Sequence, residues 1–522
     1  MADTKREIER KFEFPASHGA PPQLPDLTAV PGVAAVTDRG VVELDAVYYD
    51  TQDVRLDADS LTLRRRTGGA DAGWHLKLPV SAGVRDEIRA PLSDDVPPEL
   101  AALVRSRVRE GTLVPVVRLR SSRAVRHLLA EDGAQLVEIS VDTVRAEGLR
   151  PGCSATSWTE IEAELADGVQ DDTLLDHIGA LLAESGIKPA TSPSKVARAL
   201  RETAPARADA DADAHAGRTE DVPSEAAEPA EGTAGARVLA HLRAQRDDLV
   251  ALDPAVRREL PDAVHRMRVT TRRLRSAFTS YAKVLDRTVT DPLGDELKWL
   301  ARELGAVRDG DVLAQRLDAH IRALPTTLVL GPVTARLRVH RVAQHAEARR
   351  TTLAALDSPR QLALLGALDR LLADPPLLPG AHRPAARVLR QAVRKDHRRL
   401  TRRLDTALAL APGPERDRAL HAARKAAKRA RYSAQAATPV LGKPAKKLAK
   451  RLKAVQNTLG DHQDSVVARA ALRTLAARAH AAGETAFTWG LLYGREEARA
   501  AARERELPQV WARARRARLH GG

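Results

Sequence analysis

The sequence of 522 residues contains one cysteine, Cys153, and few aromatic side chains: four Phe, five Trp and five Tyr. A single cysteine excludes an intramolecular disulfide framework and is typical of a reducing cytoplasm. No segment approaches about 18 consecutive uncharged apolar residues, and the first residues lack the apolar stretch of a signal peptide. We therefore expect a soluble, cytoplasmic protein.

Length and charge divide the chain. A chain this long exceeds a single hydrophobic core and should fold as two or three domains. Residues 1–236 hold 27 Lys or Arg against 41 Asp or Glu, whereas residues 237–522 hold 57 against 28, giving formal charges of −14 and +29. The strongly basic half predicts a polyanionic partner, such as nucleic acid, an anionic membrane or polyphosphate.

The first 202 residues show short segments in which polar and apolar residues alternate, separated by Gly and Pro. This pattern is typical of an antiparallel sheet, curled or closed into a barrel, with helical runs at 98–109 and 171–185. Charged residues fill the polar half of several segments, and residues two apart on a strand share a face. These charged sets are Glu7, Glu9 and Lys11; Arg64 and Arg66; His75 and Lys77; Arg118 and Arg120; and Glu160, Glu162 and Glu164.

The charged faces have two interpretations. If they point outward, they are solvated, and the first set alone is no more than a charged edge strand. If they point into a closed barrel, they form a tunnel with a carboxylate wall and a cationic wall. Buried charges must be paired or bind ions, so such a tunnel would hold metal, anion and water.

The remainder of the chain changes character twice. Residues 203–236 are rich in Ala, Pro, Asp and Glu without apolar periodicity, which predicts a disordered acidic linker. From residue 237 to 522, Leu, Ala and Val recur at spacings of three and four, which predicts helices. The predicted architecture is therefore multidomain, with an N-terminal antiparallel β-barrel tunnel (α+β) at 1–202 and an all-α helical repeat domain at 237–522.

The basic half contains an internal repeat. Its two copies are His265-x2-Arg268-x3-Arg272-Arg273-x-Arg275 and His421-x2-Arg424-x3-Lys428-Arg429-x-Arg431. A Leu-Gly pair follows the histidine by 39 residues in the first copy and by 38 in the second. The chain therefore carries two copies of one helical unit.

Four basic positions in each copy follow one another at intervals of three and four, which places them along one helix face. Like charges stacked in this way repel by a few tenths of a kcal/mol per pair, roughly, and a bound anion would remove that cost. A solvated face in an arginine-rich sequence is the alternative. The predicted polyanion-binding residues are His265, Arg268, Arg272, Arg275, His421, Arg424, Lys428 and Arg431, extended by Lys298, Lys446, Lys450 and Lys453.

The scarcity of aromatic side chains indicates which type of polyanion the basic half binds. Single-stranded nucleic acid is usually bound by aromatic side chains that stack on bases. Only Phe278, Trp299 and Tyr432 fall near the basic stripes, too few for such a platform. A ligand made entirely of phosphate fits better, and non-specific duplex binding through the phosphate backbone stays open.

Ordered motifs give each half a resemblance to a known family. Those of the first half are Glu7-x-Glu9-x-Lys11, Tyr48-Tyr49-Asp50-Thr51, Leu63-Arg64-Arg65-Arg66, Leu76-Lys77, Arg85-x-Glu87, Arg118-x-Arg120, Val141-Asp142, Glu160-x-Glu162-x-Glu164 and Ser194-Lys195. This half resembles the CYTH superfamily, the triphosphate tunnel metalloenzymes, which include inorganic and thiamine triphosphatases and class IV adenylate cyclases. The basic half is similar to CHAD domains, helical modules of paired repeats associated with inorganic polyphosphate.

The resemblance implies roles for individual residues. Phosphate would be bound by Lys11, Arg64, Arg66, Lys77, Arg85, Arg118, Arg120 and Lys195. Mg²⁺ or Mn²⁺ would be held by Glu7, Glu9, Asp142, Glu160, Glu162 and Glu164, because hard cations prefer oxygen ligands. Glu9 or Glu162 would orient or deprotonate the attacking water, and Lys11 would grip phosphate or neutralise the acidic side.

The sequence thus predicts a metal-dependent triphosphatase that cleaves a phosphoanhydride bond of tripolyphosphate or a related linear triphosphate. The enzyme would be tethered to a domain that binds inorganic polyphosphate, with a cytoplasmic location at polyphosphate granules. The alternatives are a non-enzymatic scaffold that docks on such granules and a class IV-like adenylate cyclase. Nucleic acid is a disfavoured partner, and no membrane partner is expected.

Overall fold

The computed structural model describes residues 3–14, 24–205 and 229–516, without the side chains of residues 306–308 and 311. The chain forms two compact units, residues 1–220 and 221–522. The predicted acidic linker at 203–236 falls mostly on residues outside the described ones, and the helices of the second unit begin at Ala234.

The first unit is a closed antiparallel barrel, as predicted. Eight strands follow the order β5-β4-β3-β2-β6-β7-β8-β1, β1 pairs back with β5, and the short β9 adds to β1. The elements are β1 Asp3–Glu13, β2 Ala35–Asp50, α1 Arg55–Ala58, β3 Thr62–Thr67, β4 Gly73–Ser81, β5 Val84–Ala90, α2 Pro98–Val108, β6 Val114–Leu129, β7 Gln135–Gly148, β8 Ala155–Leu165, α3 Thr173–Glu184, β9 Lys188–Pro189 and α4 Lys195–Glu202, with a 3-10 helix at Leu27–Ala29.

Alternation along the strands sorts side chains between the two faces of the barrel. On the outer face, Trp74 and Ile88 pack beneath α1 and α2 together with Leu100. Elsewhere on that face, Phe12 and Ile161 pack in one cluster with the buried side chains of α3. The helices therefore cover the apolar outer face, and the charged positions are left to the interior.

Helix α4 fills one end of the barrel. Its Val196 and Leu200 pack in one cluster with Leu119, Val144 and Trp158. These three side chains lie on the inward face, because each is an even number of residues from a charged inward position on the same strand. The interior is therefore apolar at this end and charged beyond it, with the first residue of α4 at the boundary.

The second unit is helical, as predicted. Its helices are α5 Ala234–Arg257, α6 Ala263–Ser280, α7 Arg287–Glu303, α8 Gly305–Arg322, α9 Val333–Asp357, α10 Pro359–Ala373, α11 Ala385–Ala409, α12 Pro414–Ala436, α13 Thr438–Ala481 and α14 Phe487–Arg515, with 3-10 helices at Thr326–Leu328 and Pro379–His382. A left-handed Gly442, with φ of 60°, kinks α13 near its start. The two copies of the repeat motif lie on α6 and α12.

Two apolar clusters hold the helices together. The larger one includes Met267 and Leu274 of α6, Leu389 of α11 and Leu452 of α13. The smaller one joins α8, α9, α13 and α14 around Trp489. Among the described residues, no helix is long and apolar enough to cross a membrane.

Candidate functional site

The barrel interior contains a cavity of about 770 Å³. Nine Lys or Arg and eight Asp or Glu side chains line it, so the formal charges almost cancel. Ten of the residues predicted from the sequence lie on its walls: Glu7, Glu9, Lys11, Arg64, Arg66, Lys77, Arg85, Glu162, Glu164 and Lys195. On β1, β3 and β8, the charged residues two apart therefore mark the inward face of the strand.

Lys11 bridges two carboxylates in this cavity. Its Nζ lies 3.1 Å from Glu9 Oε2 and also contacts Glu162 Oε1 on the neighbouring strand. Burial by itself would raise the pKa of Glu9, but Lys11 and Lys77 outweigh it and lower that pKa. Burial also opposes ionisation of Glu162, yet Lys11, Lys195 and Arg123 hold its pKa well below the ordinary value.

Lys195, at the start of α4, is surrounded by carboxylates. Its Nζ lies 2.9 Å from Asp142 Oδ2, 2.8 Å from Glu160 Oε1 and 2.6 Å from Glu162 Oε1. These carboxylates outweigh the effect of burial and raise the pKa of Lys195. Ser194 caps the helix by accepting a hydrogen bond from the Ala197 amide, which fixes the point at which the lysine enters the barrel.

A second group of charges lies on β1, β3, β4 and β5. Lys77 Nζ is 2.6 Å from Glu7 Oε2, and Arg64 lies 3.6 Å from Glu87 and donates to the Tyr48 hydroxyl at 3.3 Å. Burial raises the pKa of Glu7, and Lys77 offsets this only in part. Acids and bases thus interleave around the cavity instead of forming two separate walls.

Arg66 carries a buried positive charge that Asp71 offsets only in part. Burial, together with Arg64 and Arg123, lowers its pKa to about 9, although it pairs with Asp71 at the cavity wall. A bound anion would relieve this repulsion and favour the charged guanidinium. The three arginines therefore form the part of the cavity best suited to phosphate.

Arg118 and Arg120, predicted as phosphate-binding residues, lie on the outer face of β6. Arg118 Nε donates to Asp45 Oδ1 at 2.9 Å, and Arg120 is 3.7 Å from the same carboxylate. The inward position on this strand belongs to Arg123, because strand neighbours alternate faces and 123 differs from 118 and 120 by an odd number. Arg123 donates to Asp142 at 2.7 Å and to Glu162 at 2.8 Å.

Arg123 could have been found from the sequence only by extending the alternation of β6 past residue 120. Tyr48 and Glu87 belong to motifs that carry the family resemblance, but neither is among the predicted site residues. In the structure Arg85 lies 3.9 Å from Glu9 and donates to the Pro193 carbonyl at 2.8 Å. Glu87 instead accepts from His75 and Arg89.

The predicted metal ligands separate into two groups. Glu7, Glu9, Glu162 and Glu164 line the cavity, whereas Asp142 and Glu160 are buried around Lys195. All are oxygen donors, which fits a hard divalent cation. Within residues 3–14, 24–205 and 229–516, no three barrel carboxylates bring ligand atoms within 4.8 Å of one another. Lys11 and Lys195 stand between them, so a bound cation would take the place of an ammonium group.

In the helical unit, the structure brings the two basic stripes together. Arg268 and Arg272 of α6 act electrostatically on Lys428 of α12, as does its own neighbour Arg424. Arg268 donates to Asp309 at 2.9 Å, and Arg424 lies 3.7 Å from Asp464. Arg272 and Lys428 form no ion pair with any described carboxylate. We call Arg268, Arg272, Arg424 and Lys428 the cationic cluster.

The other predicted basic residues lie around this cluster or away from it. His421 Nδ1 donates a hydrogen bond to Gln463 Oε1 at 2.7 Å, and Arg431 stacks on the ring of Tyr432. Arg275 and Lys298 share a neighbour, Asp295. His265 is half-buried on α6, and Lys446, Lys450 and Lys453 are exposed along one side of α13.

Comparison with known proteins agrees with the two units. A CYTH domain matches residues 5–199 and a CHAD domain matches residues 240–473, in the order predicted from the sequence. Uncharacterized proteins from two strains of Mycobacterium tuberculosis are each 37% identical over 504 residues, covering 94% of this chain and 92% of theirs.

Two solved structures were also compared. PptA from Streptomyces chartreusis is 24% identical and covers 54% of this chain and 99% of its own, with a TM-score of 0.46. A putative adenylyl cyclase from Hippeastrum that reveals a dominant triphosphatase activity is 19% identical and covers 37% of this chain and 93% of its own, with a TM-score of 0.22. Neither likeness bears on what this chain does.

Proposed function

This chain belongs to the CYTH family and carries a CHAD domain C-terminal to its CYTH domain, and on this basis we propose that it is a metal-dependent triphosphatase with a polyphosphate-binding domain. The substrate is inorganic tripolyphosphate or a related linear triphosphate, cleaved at a phosphoanhydride bond. The cofactor is Mg²⁺ or Mn²⁺.

The observation that carries the proposal is the charge of the cavity. Nine cationic and eight anionic side chains line it, so it has almost no net charge of its own to offset a triphosphate. Such a ligand must therefore enter with cations, and the cavity offers carboxylates to hold those cations beside arginines and lysines to hold phosphate. Both sets are needed for metal-assisted phosphoryl transfer.

The residues on each side then have separate tasks. Arg64, Arg66 and Arg123 would bind the phosphate oxygens and stabilise the charge that develops on them. Glu7, Glu9 and Glu164 would hold the divalent cation, which would offset the negative charge of the phosphate oxygens. Lys11 pairs with Glu9 and Glu162. Its ammonium group would therefore neutralise part of the negative charge of these carboxylates.

Glu9 and Glu162 suit orientation of water better than removal of its proton. Lysines and an arginine lower the pKa of both carboxyls despite burial, and a carboxylate with a lowered pKa is a weak proton acceptor. Glu7 differs, because burial raises its pKa.

Base recognition has little support in the cavity. Tyr48 is the one aromatic side chain among the described residues that line it, and its hydroxyl is already bonded to Arg64. No stacking platform for adenine is available there. This favours an inorganic triphosphate over ATP as substrate, and hydrolysis over cyclisation.

The test is a substrate panel with the full-length protein after metal removal by a chelator. We expect phosphate release from tripolyphosphate on addition of Mg²⁺ or Mn²⁺, exceeding release from ATP or thiamine triphosphate, with no release while the chelator is in excess. Cyclic AMP and pyrophosphate from ATP would instead indicate the cyclase. Absence of turnover with every substrate and metal would contradict an enzymatic function. The alternative would then be the non-enzymatic scaffold that docks on polyphosphate granules.

The cationic cluster supports the second half of the proposal. Two stripes from separate copies of the repeat meet, and two of the four cations lack a carboxylate partner among the described residues. A flexible chain of phosphates can follow such a cluster without presenting bases. The proposed ligand of the helical unit is therefore inorganic polyphosphate.

Polyphosphate binding should depend on pH through Lys428. Burial, together with Arg424, Arg272 and Arg268, lowers its pKa to about 7, so the side chain loses its charge above that pH. Affinity should fall as pH rises from about 7, by at most about tenfold per pH unit for this one proton. Titrations of the full-length protein with polyphosphate across this range measure it.

The free energy of unfolding should instead increase as pH rises. An unfolded lysine has a pKa near about 10.4, so the unfolded chain binds more protons between that value and about 7, and stability rises with pH there. Lys428→Arg stays charged and is the matched control. A polyphosphate affinity whose pH dependence is unchanged in Lys428→Arg would exclude this lysine as the cause.

A further inference from the structure

A buried histidine joins two carboxylates from the two neighbouring helices. His462 of α13 places Nε2 3.3 Å from Asp417 Oδ1 of α12 and 3.1 Å from Glu504 Oε1 of α14. The three ligand atoms all lie within 4.8 Å of one another. Three helices therefore present one nitrogen and two oxygens to a common point.

The outer oxygens of both carboxylates are held in place. Arg469 lies 3.3 Å from Asp417 Oδ2, and Arg416 lies 2.9 Å from Glu504 Oε2. The oxygens left facing the imidazole are thus Oδ1 and Oε1. Carboxylates that ligate metals are commonly oriented by an outer partner on the second oxygen, and here Arg469 donates a hydrogen bond to Asp417 while Arg416 forms an ion pair with Glu504.

The distances match a small four-coordinate ion. Zinc bonds of about 2.0–2.2 Å to nitrogen and oxygen place tetrahedral ligands about 3.3–3.6 Å apart. The observed separations of 3.1 and 3.3 Å from the imidazole are near that range. His462 is 3% exposed, while Asp417 and Glu504 are 24% and 15% exposed, so an ion can reach the site from solvent on the carboxylate side.

The sequence shows that this group is not part of the repeat. The alignment of the two copies sets Pro261 against Asp417 and Val307 against His462. Neither can be a side-chain ligand. The polar group is therefore specific to the second copy of the repeat.

We propose that Asp417, His462 and Glu504 form a zinc-type metal site that links α12, α13 and α14. The nitrogen and two oxygens suit Zn²⁺, with water completing the tetrahedron. Binding requires the imidazole to give up its Nε2 proton, so metal uptake releases a proton. The site is separate from the barrel and does not depend on triphosphatase activity.

The test uses the full-length protein stripped of metal and titrated with Zn²⁺ or Co²⁺. A tetrahedral Co²⁺ site with a nitrogen ligand absorbs visible light far more strongly than a six-coordinate, all-oxygen site, so barrel carboxylates do not obscure it. We expect this absorption and a rise in the melting temperature with Zn²⁺ in the wild-type protein. His480→Gln, an exposed histidine on the same helix, should behave identically.

His462→Gln should lose the cobalt absorption and weaken Zn²⁺ binding by more than the roughly 10- to 100-fold that loss of an outer-shell partner costs. Arg469→Gln should show that smaller loss. If His462→Gln fails to fold, Asp417→Asn and Glu504→Gln test the same ligands without changing volume. Absence of tetrahedral cobalt absorption in the wild type, or its survival in these variants, would show only an imidazole hydrogen-bonded between two carboxylates and overturn the proposal.

Discussion

Arg123→Met should lower kcat/KM for tripolyphosphate by about 10²–10³-fold, the cost typical of removing one preorganised charge stabiliser from an active site. The double variant Arg118→Met with Arg120→Met should keep kcat/KM within about twofold of the wild-type value. The second variant removes twice the charge from the same strand. The contrast therefore depends on which face of β6 each arginine occupies, and steady-state phosphate release measures it.

The reason lies in what Arg123 touches. It lines the cavity and holds Asp142 and Glu162, while Arg118 and Arg120 neutralise Asp45 on the outer face. Without Arg123, two buried carboxylates keep only lysines as counter-charges, and the substrate loses one of its three arginines. Loss of a phosphate contact would appear mainly in KM, whereas misplacement of Glu162 would appear in kcat.

Two controls separate these effects from unfolding. Arg123→Lys retains the charge but not the bidentate contact to Asp142, and should recover part of the activity. Thermal denaturation of each variant shows whether the barrel persists at the assay temperature. Equal losses in Arg123→Met and in the outer-face double variant would show that turnover depends on overall charge, and would remove Arg123 from the site.

Alternation of charged residues was enough to predict the barrel and most of its lining. Glu7, Glu9, Arg64, Arg66 and Lys77 are found inside because residues two apart share a face. Alternation cannot say which of the two faces points inward, and β6 has arginines on both. That choice is fixed by the pairing of Arg123 with Asp142 across β6 and β7, which exists only once the barrel closes.

The contacts of the buried carboxylates Asp142 and Glu160 could not be predicted without the fold. The family resemblance implied that Asp142 and Glu160 are metal ligands. Lys195 enters among them from α4, and the point of entry depends on how the apolar side of that helix packs into the barrel end. A lysine distant in sequence thus occupies oxygens that the strand pattern left available.

In the helical unit, basic residues spaced three and four apart predicted a stripe on α6 and a stripe on α12. The spacing did not predict that the two stripes lie next to each other. The contact between the stripes arises from packing of α6 against α12, which the repeat suggests only through its symmetry. The lowered pKa of Lys428 is a consequence of that packing and had no signal in the sequence. The Asp417, His462 and Glu504 group likewise joins three helices whose adjacency the sequence does not state.

Arg272→Ala combined with Lys428→Ala should weaken binding of inorganic polyphosphate by at least about 10²-fold, since hydrogen bonds to charged groups contribute about 1.5–3 kcal/mol each. Arg266→Ala combined with Lys425→Ala removes the same charge from exposed positions on the same two helices and should cost less than about fivefold. Equilibrium titration of the full-length variants with polyphosphate of defined length, and with duplex DNA for comparison, measures both.

Stability distinguishes a binding role from a structural one. Burial and neighbouring cations lower the pKa of Arg272 and of Lys428, so both charges are unfavourable in the free protein. Their removal should leave the melting temperature unchanged or raise it, while affinity falls. Groups that the fold retains against its own stability serve a ligand. A double variant that melts earlier and binds polyphosphate as tightly as the Arg266 and Lys425 control would show instead that these residues support packing.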